Sequence, residues 1–304
     1  MEVFTIQVEQ EWEGTRLDKF ISSNLDFVSR SYLQKIIKEQ LVTVNGKWEK
    51  AKYPVQAEDE IQVVLPPSVE PNIQAENIPL DILYEDNDVI VINKPKNMVV
   101  HPAPGHYSNT LVNALLYHCH DSLSGINGVM RPGIVHRIDK DTTGSLIVCK
   151  NDFSHEKIAL QLKEHSISRK YRAICHGVLK EDDYTIHAPI GRHPVERKKM
   201  AINEKNGKDA ITHIQVLRRL KNATYIECSL ETGRTHQIRV HLASIGHPLM
   251  GDDLYSTIND KQKLQGQTLH AYLLGFKHPR TGKYIETIAP IPQYIENLIR
   301  KLSQ

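Results

Sequence analysis

The chain has 304 residues, 40% hydrophobic and 24% charged, with 38 Lys+Arg against 36 Asp+Glu and a formal net charge of +2. This composition suits a globular protein of about two domains that can bury its cores without disulfides or metals. It excludes a disordered, collagen-like or coiled-coil chain. No apolar run approaches the ~20 residues of a bilayer span. The opening MEVFTIQVEQEWEG has acids where a secretory signal has bases. Cys119, Cys149, Cys175 and Cys228 form no CxxC pair, so free, mostly buried thiols in a reducing compartment are expected. The expected protein is cytoplasmic and monomeric.

The N-terminal part spells two short helices and a small sheet. Thr15 can cap a helix that places Leu17, Phe20 and Ile21 on one face. A second helix follows Ser29, with Leu33, Ile36 and Ile37 inward and Arg30, Lys35 and Lys38 outward. Leu41–Val44, the dipeptide Asn45-Gly46 and Lys47-Trp48 predict a type I′ hairpin, because both turn residues tolerate positive φ. Ile61–Leu65 supplies another strand. Eight bases and four acids lie between Thr15 and Val55. A basic helix face fits a polyanion such as RNA, and it also fits a merely solvated surface.

From Tyr53 to Asn93 there are nine acids and no Lys or Arg, which leaves 38 bases against 27 acids, a net of +11, elsewhere. Within this stretch, PPSVEPNIQAENIP has four prolines in fourteen residues and predicts an extended linker over 66–80. The expected organisation is a small domain over 1–70 (core 14–65), that linker, and a large domain over 80–304. In the large part, Asp88–Asn93, Gly144–Cys149 and Thr224–Leu230 look like strands. Helical spacing marks 155–165 and the C-terminal stretch from Gln293. The expected class is α+β, with a mostly antiparallel mixed sheet.

Three clusters could carry chemistry: GIVHRIDKDTTG (133–144), SRKYR (168–172) and TGRTHQIRVH (232–241). Asp139 follows an apolar pair and is flanked by Arg137 and Lys140. A carboxylate of ordinary pKa is already ionised at pH 7, so it needs aiming and a fixed cation rather than activation. That suits a nucleophile or base, although a turn aspartate has the same local signature. If 232–241 were a strand, Arg239 and His241 would share one face, as would Arg234 and His236. Basic segments also occur at 163–172, 192–199 and 218–221. There is no HExxH, CxxC or HxE…PCxxC pattern, so no metal is expected. GxxxxGK[ST], GxGxxG and GxSxG are absent too, so no nucleotide cofactor or serine nucleophile is expected.

These clusters resemble the RluA family of pseudouridine synthases. HRIDKDTTG is similar to that family's HRLDxxTSG signature, with Ile138 for the usual Leu and Thr143 for the usual Ser. NDVIVINKPKNMVVHP (87–102), ISRKYRAICHG (167–177), LETGRTHQIRVHLASIGHPLMGDDLY (230–255) and TLHAYLLGFKHPRTGK (268–283) follow in the family's order. The N-terminal part resembles the S-four-type, αL-motif RNA-binding domain. The pattern is most similar to the RluD-type branch, which modifies large-subunit ribosomal RNA. The resemblance implies an enzyme that isomerises uridine to pseudouridine without cofactor or metal. It implies Asp139 as nucleophile, Tyr171 as the active-site tyrosine that stacks on uracil and takes the carbon-5 proton, and Arg239 as the partner of Asp139. Arg234 is the alternative partner. Arg137 would fill the space left by the flipped uridine, and His136 would shape the RNA-binding loop. A tRNA substrate, and a non-catalytic RNA-binding assembly factor, are the alternatives.

Overall fold

The computed structural model describes every residue except Met1, 67–71, 104, 121 and 259–263. The chain divides into two compact units, Met1–Glu70 and Pro71–Gln304. Part of the proline-rich 66–80 stretch lies outside the described residues, and 72–80 form neither helix nor strand.

The first unit comprises β1 (Glu2–Gln7), α1 (Leu17–Asn24), α2 (Arg30–Lys38), β2 (Val42–Val44), β3 (Lys47–Trp48) and β4 (Glu60–Leu65). Its antiparallel sheet has the order β1-β4-β2-β3. Leu17, Phe20 and Ile21 of α1 pack with Leu33, Ile36 and Ile37 of α2 over Val42, Val44, Ile61 and Val63. Each such side chain contributes about 1.5–3 kcal/mol on burial. Asn45 (φ 51°) and Gly46 (φ 75°) turn the chain tightly, and Val44 pairs with Lys47. Ser29 caps α2 through Tyr32 N–H. Thr15 does not cap α1: Arg16 holds that position, while Thr15 O accepts from Val55 N–H. Pairing with the 53–55 segment takes precedence there over the side-chain cap. β1 is hidden in the sequence because, as an edge strand of Glu, Thr and Gln among apolar residues, it stays largely exposed.

The second unit runs β5 (Ile82–Glu85), β6 (Val89–Lys94), α3 (Leu111–Cys119), β7 (Thr143–Cys149), α4 (Asp152–Lys163), β8 (Ser168–His176), β9 (Asp183–His187), β10 (Ile190–Arg192) and β11 (Met200–Ile202). It continues through β12 (Ile211–Leu220), β13 (Ala223–Leu230), α5 (Gln237–Ser244), β14 (Leu269–Lys277), β15 (Tyr284–Ile288) and α6 (Gln293–Leu302). Nine strands form one sheet in the order β5-β6-β7-β14-β8-β13-β12-β9, with β15 on β14. Every pairing is antiparallel except β7 with β14, so the fold is α+β with a mixed, mostly antiparallel sheet.

The parallel seam is where the HRIDKDTTG segment enters the sheet. Gly144 sits there at φ +105°, and a Cβ on it would lie 2.3 Å from Ala271 O. Gly133, at φ +71°, would meet Cys149 O at 2.6 Å. Both glycines flanking the Asp139 loop are thus imposed by close backbone approach. The main core spans Ile90, Ile92, Leu111, Leu115, Leu146, Val148, Ala173, Ile226 and Leu242. The four cysteines are buried and unbridged. No described helix is long and apolar enough to cross a membrane.

Candidate active site

Asp139 lies in the loop that precedes β7, closed by Thr142 N–H donating to Asp139 O. Lys94, at the end of β6, fixes this loop from behind. Its fully buried ammonium donates to Pro95 O (2.7 Å), Met98 O (2.9 Å) and Lys140 O (2.9 Å). Burial pulls its pKa down to about 7, against the opposing pull of Asp141 and Asp139. From the front, Arg239 Nη1 donates to Asp139 Oδ2 at 2.8 Å.

Arg239 is itself held. Its Nε and Nη2 bond both oxygens of Asp252, at 2.7 and 2.8 Å. Asp252 is buried and also accepts from Leu254 and Tyr255 N–H. Burial works against the Arg239 charge, but the Asp252 and Asp139 carboxylates outweigh it and raise the guanidinium's pKa. The result is a pre-organised Asp252–Arg239–Asp139 row, in which a bidentate pair fixes the cation that aims the loop carboxylate.

The helical state of 237–244 makes this possible, and the shared face that a strand would give Arg239 and His241 does not arise. Arg239 and His241, two residues apart on α5, point in different directions. Arg239 reaches Asp139, whereas His241 bonds Thr212 Oγ1 (2.9 Å) and Ala188 O (3.0 Å). The Gln237 side chain ties the turn ahead of α5 together. Its Oε1 accepts from Thr232 Oγ1 and Arg234 N–H, and its Nε2 donates to Ile211 O and Thr212 Oγ1.

Asp139 and Arg239 share a pocket with Arg137, Thr142, Tyr171, Arg234 and His236, with Leu230, Ile238 and Leu269 among its apolar walls. The cavity these side chains enclose is small, about 60 Å³. Tyr171, on β8 opposite Cys228 and Ala271, is buried, and that burial raises its hydroxyl pKa. Arg137 is exposed at this pocket. Arg234 does not pair with Asp139. Its Nε donates to Asp209 O at 2.8 Å, which leaves its charge uncompensated by that contact.

His136 does not point into the pocket. Its Nε2 accepts from Ile147 N–H at 3.1 Å, and desolvation pushes its pKa down to about 3, so this nitrogen supports β7. In the first unit, Arg30 is exposed and reaches Asp18 (3.4 Å), Lys35 lies 3.8 Å from Glu39, and Lys38 is exposed. Among the described residues, Asp86, Asp88 and His278 could in principle hold a cation. Both Asp88 oxygens already bond Arg280, at 2.6 and 2.8 Å, and His278 bonds Asp86 at 2.7 Å.

Three site residues escape the sequence reading: Lys94, Asp252 and Tyr255. Only the apolar neighbours of Lys94 (Val-Ile-Val-Ile-Asn-Lys) hint that this lysine is drawn inside.

A family model described as RNA pseudouridylate synthase matches residues 88–244, and an S4 domain model matches 15–61. The chain is 50% identical to the uncharacterized RNA pseudouridine synthase YlyB of Bacillus subtilis over 99% of both proteins. It is 44% identical to ribosomal large subunit pseudouridine synthase D of Zymomonas mobilis, across 98% of this chain and 96% of that one. The structure is similar to human RNA pseudouridylate synthase domain containing 1, with 26% identity and a TM-score of 0.57, covering 77% of this chain and 97% of that one. Sequence, fold and relatives therefore agree that the chain belongs to the RNA pseudouridine synthases and is an enzyme that isomerises uridine in RNA, with an S4 domain at its N-terminal end.

Proposed function

We propose that this enzyme modifies uridines of large-subunit ribosomal RNA in the cytoplasm, with Asp139 as nucleophile. The observation that carries the nucleophile is the ion row. An acidic side chain at the pocket, fixed by a buried arginine that is itself clamped by a buried aspartate, is a carboxylate aimed at something other than its own loop. The rRNA substrate is supported by likeness over nearly the full chain to proteins named ribosomal large subunit pseudouridine synthase D. Buried free thiols suit a reducing compartment.

In this reading a uridine flips out of its helix into the pocket, and Arg137 enters the space it leaves. Tyr171 stacks on the uracil. Asp139 promotes cleavage of the N-glycosidic bond, the base rotates, its carbon 5 bonds the ribose carbon 1′, and the carbon-5 proton leaves. The Tyr171 hydroxyl is the proposed acceptor. A hydroxyl whose pKa is raised by burial ionises more rarely but is a stronger base once ionised. Exposed Arg30, Lys35 and Lys38 would contact phosphates; the exposed Lys35–Glu39 pair is worth only about 0–1 kcal/mol and yields to a polyanion.

The test is tritium release from RNA labelled at carbon 5 of uridine. Asp139→Asn is expected to abolish release while RNA affinity stays within a few-fold. Release at the normal rate would remove the nucleophile. Pseudouridine mapping of total RNA from cells lacking the protein is expected to show lost sites in large-subunit rRNA. Losses confined to tRNA would overturn the substrate.

A further inference from the structure

We propose that His236 is a positioning residue for the reaction: its Nε2–H holds the second oxygen of the Asp139 carboxylate, and a hydrogen-bond chain from the β10–β11 hairpin sets its tautomer. The inference rests on Asp139 being the nucleophile.

Arg239 engages Asp139 Oδ2 and leaves Oδ1 to its surroundings. His236 Nε2 lies 3.8 Å from that Oδ1. A single contact leaves the carboxylate free to swing about its Cβ–Cγ bond, whereas a second donor on the other oxygen fixes its plane. The separation exceeds a hydrogen bond, as catalytic contacts often do before substrate closes on them.

The direction of the chain follows from donor and acceptor chemistry. Met200 N–H, on β11, donates to the Tyr255 hydroxyl oxygen at 2.8 Å. The Tyr255 hydroxyl lies 2.7 Å from His236 Nδ1 and has its own proton to place. A hydroxyl that accepts from the amide and donates to Nδ1 satisfies all three groups. A neutral imidazole that accepts at Nδ1 carries its proton on Nε2, the nitrogen facing Asp139. Burial and the nearby Arg239 and Arg137 charges favour neutral imidazole, against the pull of Asp139 and Asp252. The ring is steadied by edge-on packing with Tyr255 at 5.6 Å, and the Arg239 guanidinium lies 5.0 Å from the same tyrosine ring. Met200, Ile202 and Tyr255 pack against a small core of Ile190, Ala210 and Val240, so the hairpin is seated on the helix that carries Arg239. A hairpin amide is thereby connected to the orientation of the attacking group.

The backbone at His236 supplies a discriminating experiment. Its φ of 58° is left-handed, where asparagine is comfortable and glutamine is not. An asparagine amide stops short of Asp139, while a glutamine amide can place an N–H near the position of Nε2. Steady-state tritium release on the full-length enzyme compares His236→Asn, His236→Gln and Tyr255→Phe. His236→Asn should lose about ten- to a hundredfold in kcat with KM for RNA unchanged, as expected for a misaimed reacting group. His236→Gln should recover to within a few-fold of wild type despite the lower melting temperature. Tyr255→Phe should fall between, again in kcat. Activity that follows melting temperature, with His236→Asn above His236→Gln, would overturn the positioning role. A full rate in Tyr255→Phe would overturn the tautomer chain. Asp139→Asn, run alongside, separates the two readings: if it is active the nucleophile fails, and if it is dead while the His236 variants are equal, only the positioning role fails.

Discussion

Replacing Arg239 by alanine is expected to damage stability and chemistry together, by amounts that can be worked separately. Arg239 makes three charged hydrogen bonds, two of them to Asp252, whose side chain has no exposed surface. Removing the guanidinium leaves Asp252 an uncompensated buried carboxylate, a loss of about 3–5 kcal/mol. For a unit of this size each kcal/mol is worth roughly 2–4 °C, so the melting temperature should fall by about 6–20 °C. Asp139 meanwhile loses its anchoring cation, and a reacting group displaced by about 1 Å can lose a hundredfold in rate. The two effects separate in a double variant. Adding Asp252→Asn to Arg239→Ala removes the stranded charge and should restore several degrees of melting temperature, with no recovery of tritium release. Calorimetry and single-turnover release at a temperature where all variants are folded measure both. A melting temperature equal to wild type in Arg239→Ala would refute the buried-pair argument. A normal rate in the folded variant would refute the aiming argument.

Two further predictions concern the frame of the site. Gly144→Ala puts a Cβ 2.3 Å from Ala271 O at φ +105°, so it should destabilise by at least about 3 kcal/mol; an unchanged urea midpoint would contradict the parallel seam. His136 has a native pKa of about 3 against about 6.5 unfolded, so the unfolded chain takes up its proton first and the native state loses stability as pH falls from 6.5 toward 3. His136→Gln should be less stable at pH 7 yet lack roughly 3 kcal/mol of the decline between pH 6.5 and 4; parallel stability curves for the two proteins would contradict the neutral imidazole that accepts from Ile147 N–H.

What could be read from the sequence depended on whether a residue's role is local. The Asn45-Gly46 turn, the Ser29 cap and the apolar strands around 89–94 and 143–149 announce themselves because propensity and burial act on neighbours in the chain. The segment 237–244 is ambiguous for a physical reason. Basic and apolar residues alternate in QIRVH, yet His236 turns the backbone and the next eight residues coil into α5. Asp139, Tyr171 and Arg239 were legible through motif resemblance, and the structure does bring them into one pocket. Asp252 was not, because its value lies in a partner thirteen residues away on α5, and one buried aspartate beside an exposed one looks like any acidic turn. Lys94 was masked in the same way: its three acceptors are backbone carbonyls, which carry no sequence signature.

The formal charge of +2 also takes on a different meaning once the acids are placed. The nine acids between Tyr53 and Asn93 are divided in sequence between the two compact units. The fold uses many of them internally. Asp59 accepts from Asn45, Tyr53 and Gln56. Glu85 pairs with Lys150, Asp86 with His278, and Asp88 with Arg280. Lys150 and Arg280 are therefore poor candidates for phosphate contacts, and the net of +11 outside the acidic stretch overstates what RNA can feel. Arg234 at the pocket bonds a carbonyl, not a carboxylate, so it keeps its charge where an incoming strand would meet it. The salt dependence of binding is set by the number of phosphates contacted, so a few well-placed bases weigh more than the total. A near-neutral chain can thus bind a polyanion strongly at one place and weakly elsewhere, which is the electrostatic requirement of an enzyme that must find one uridine among many.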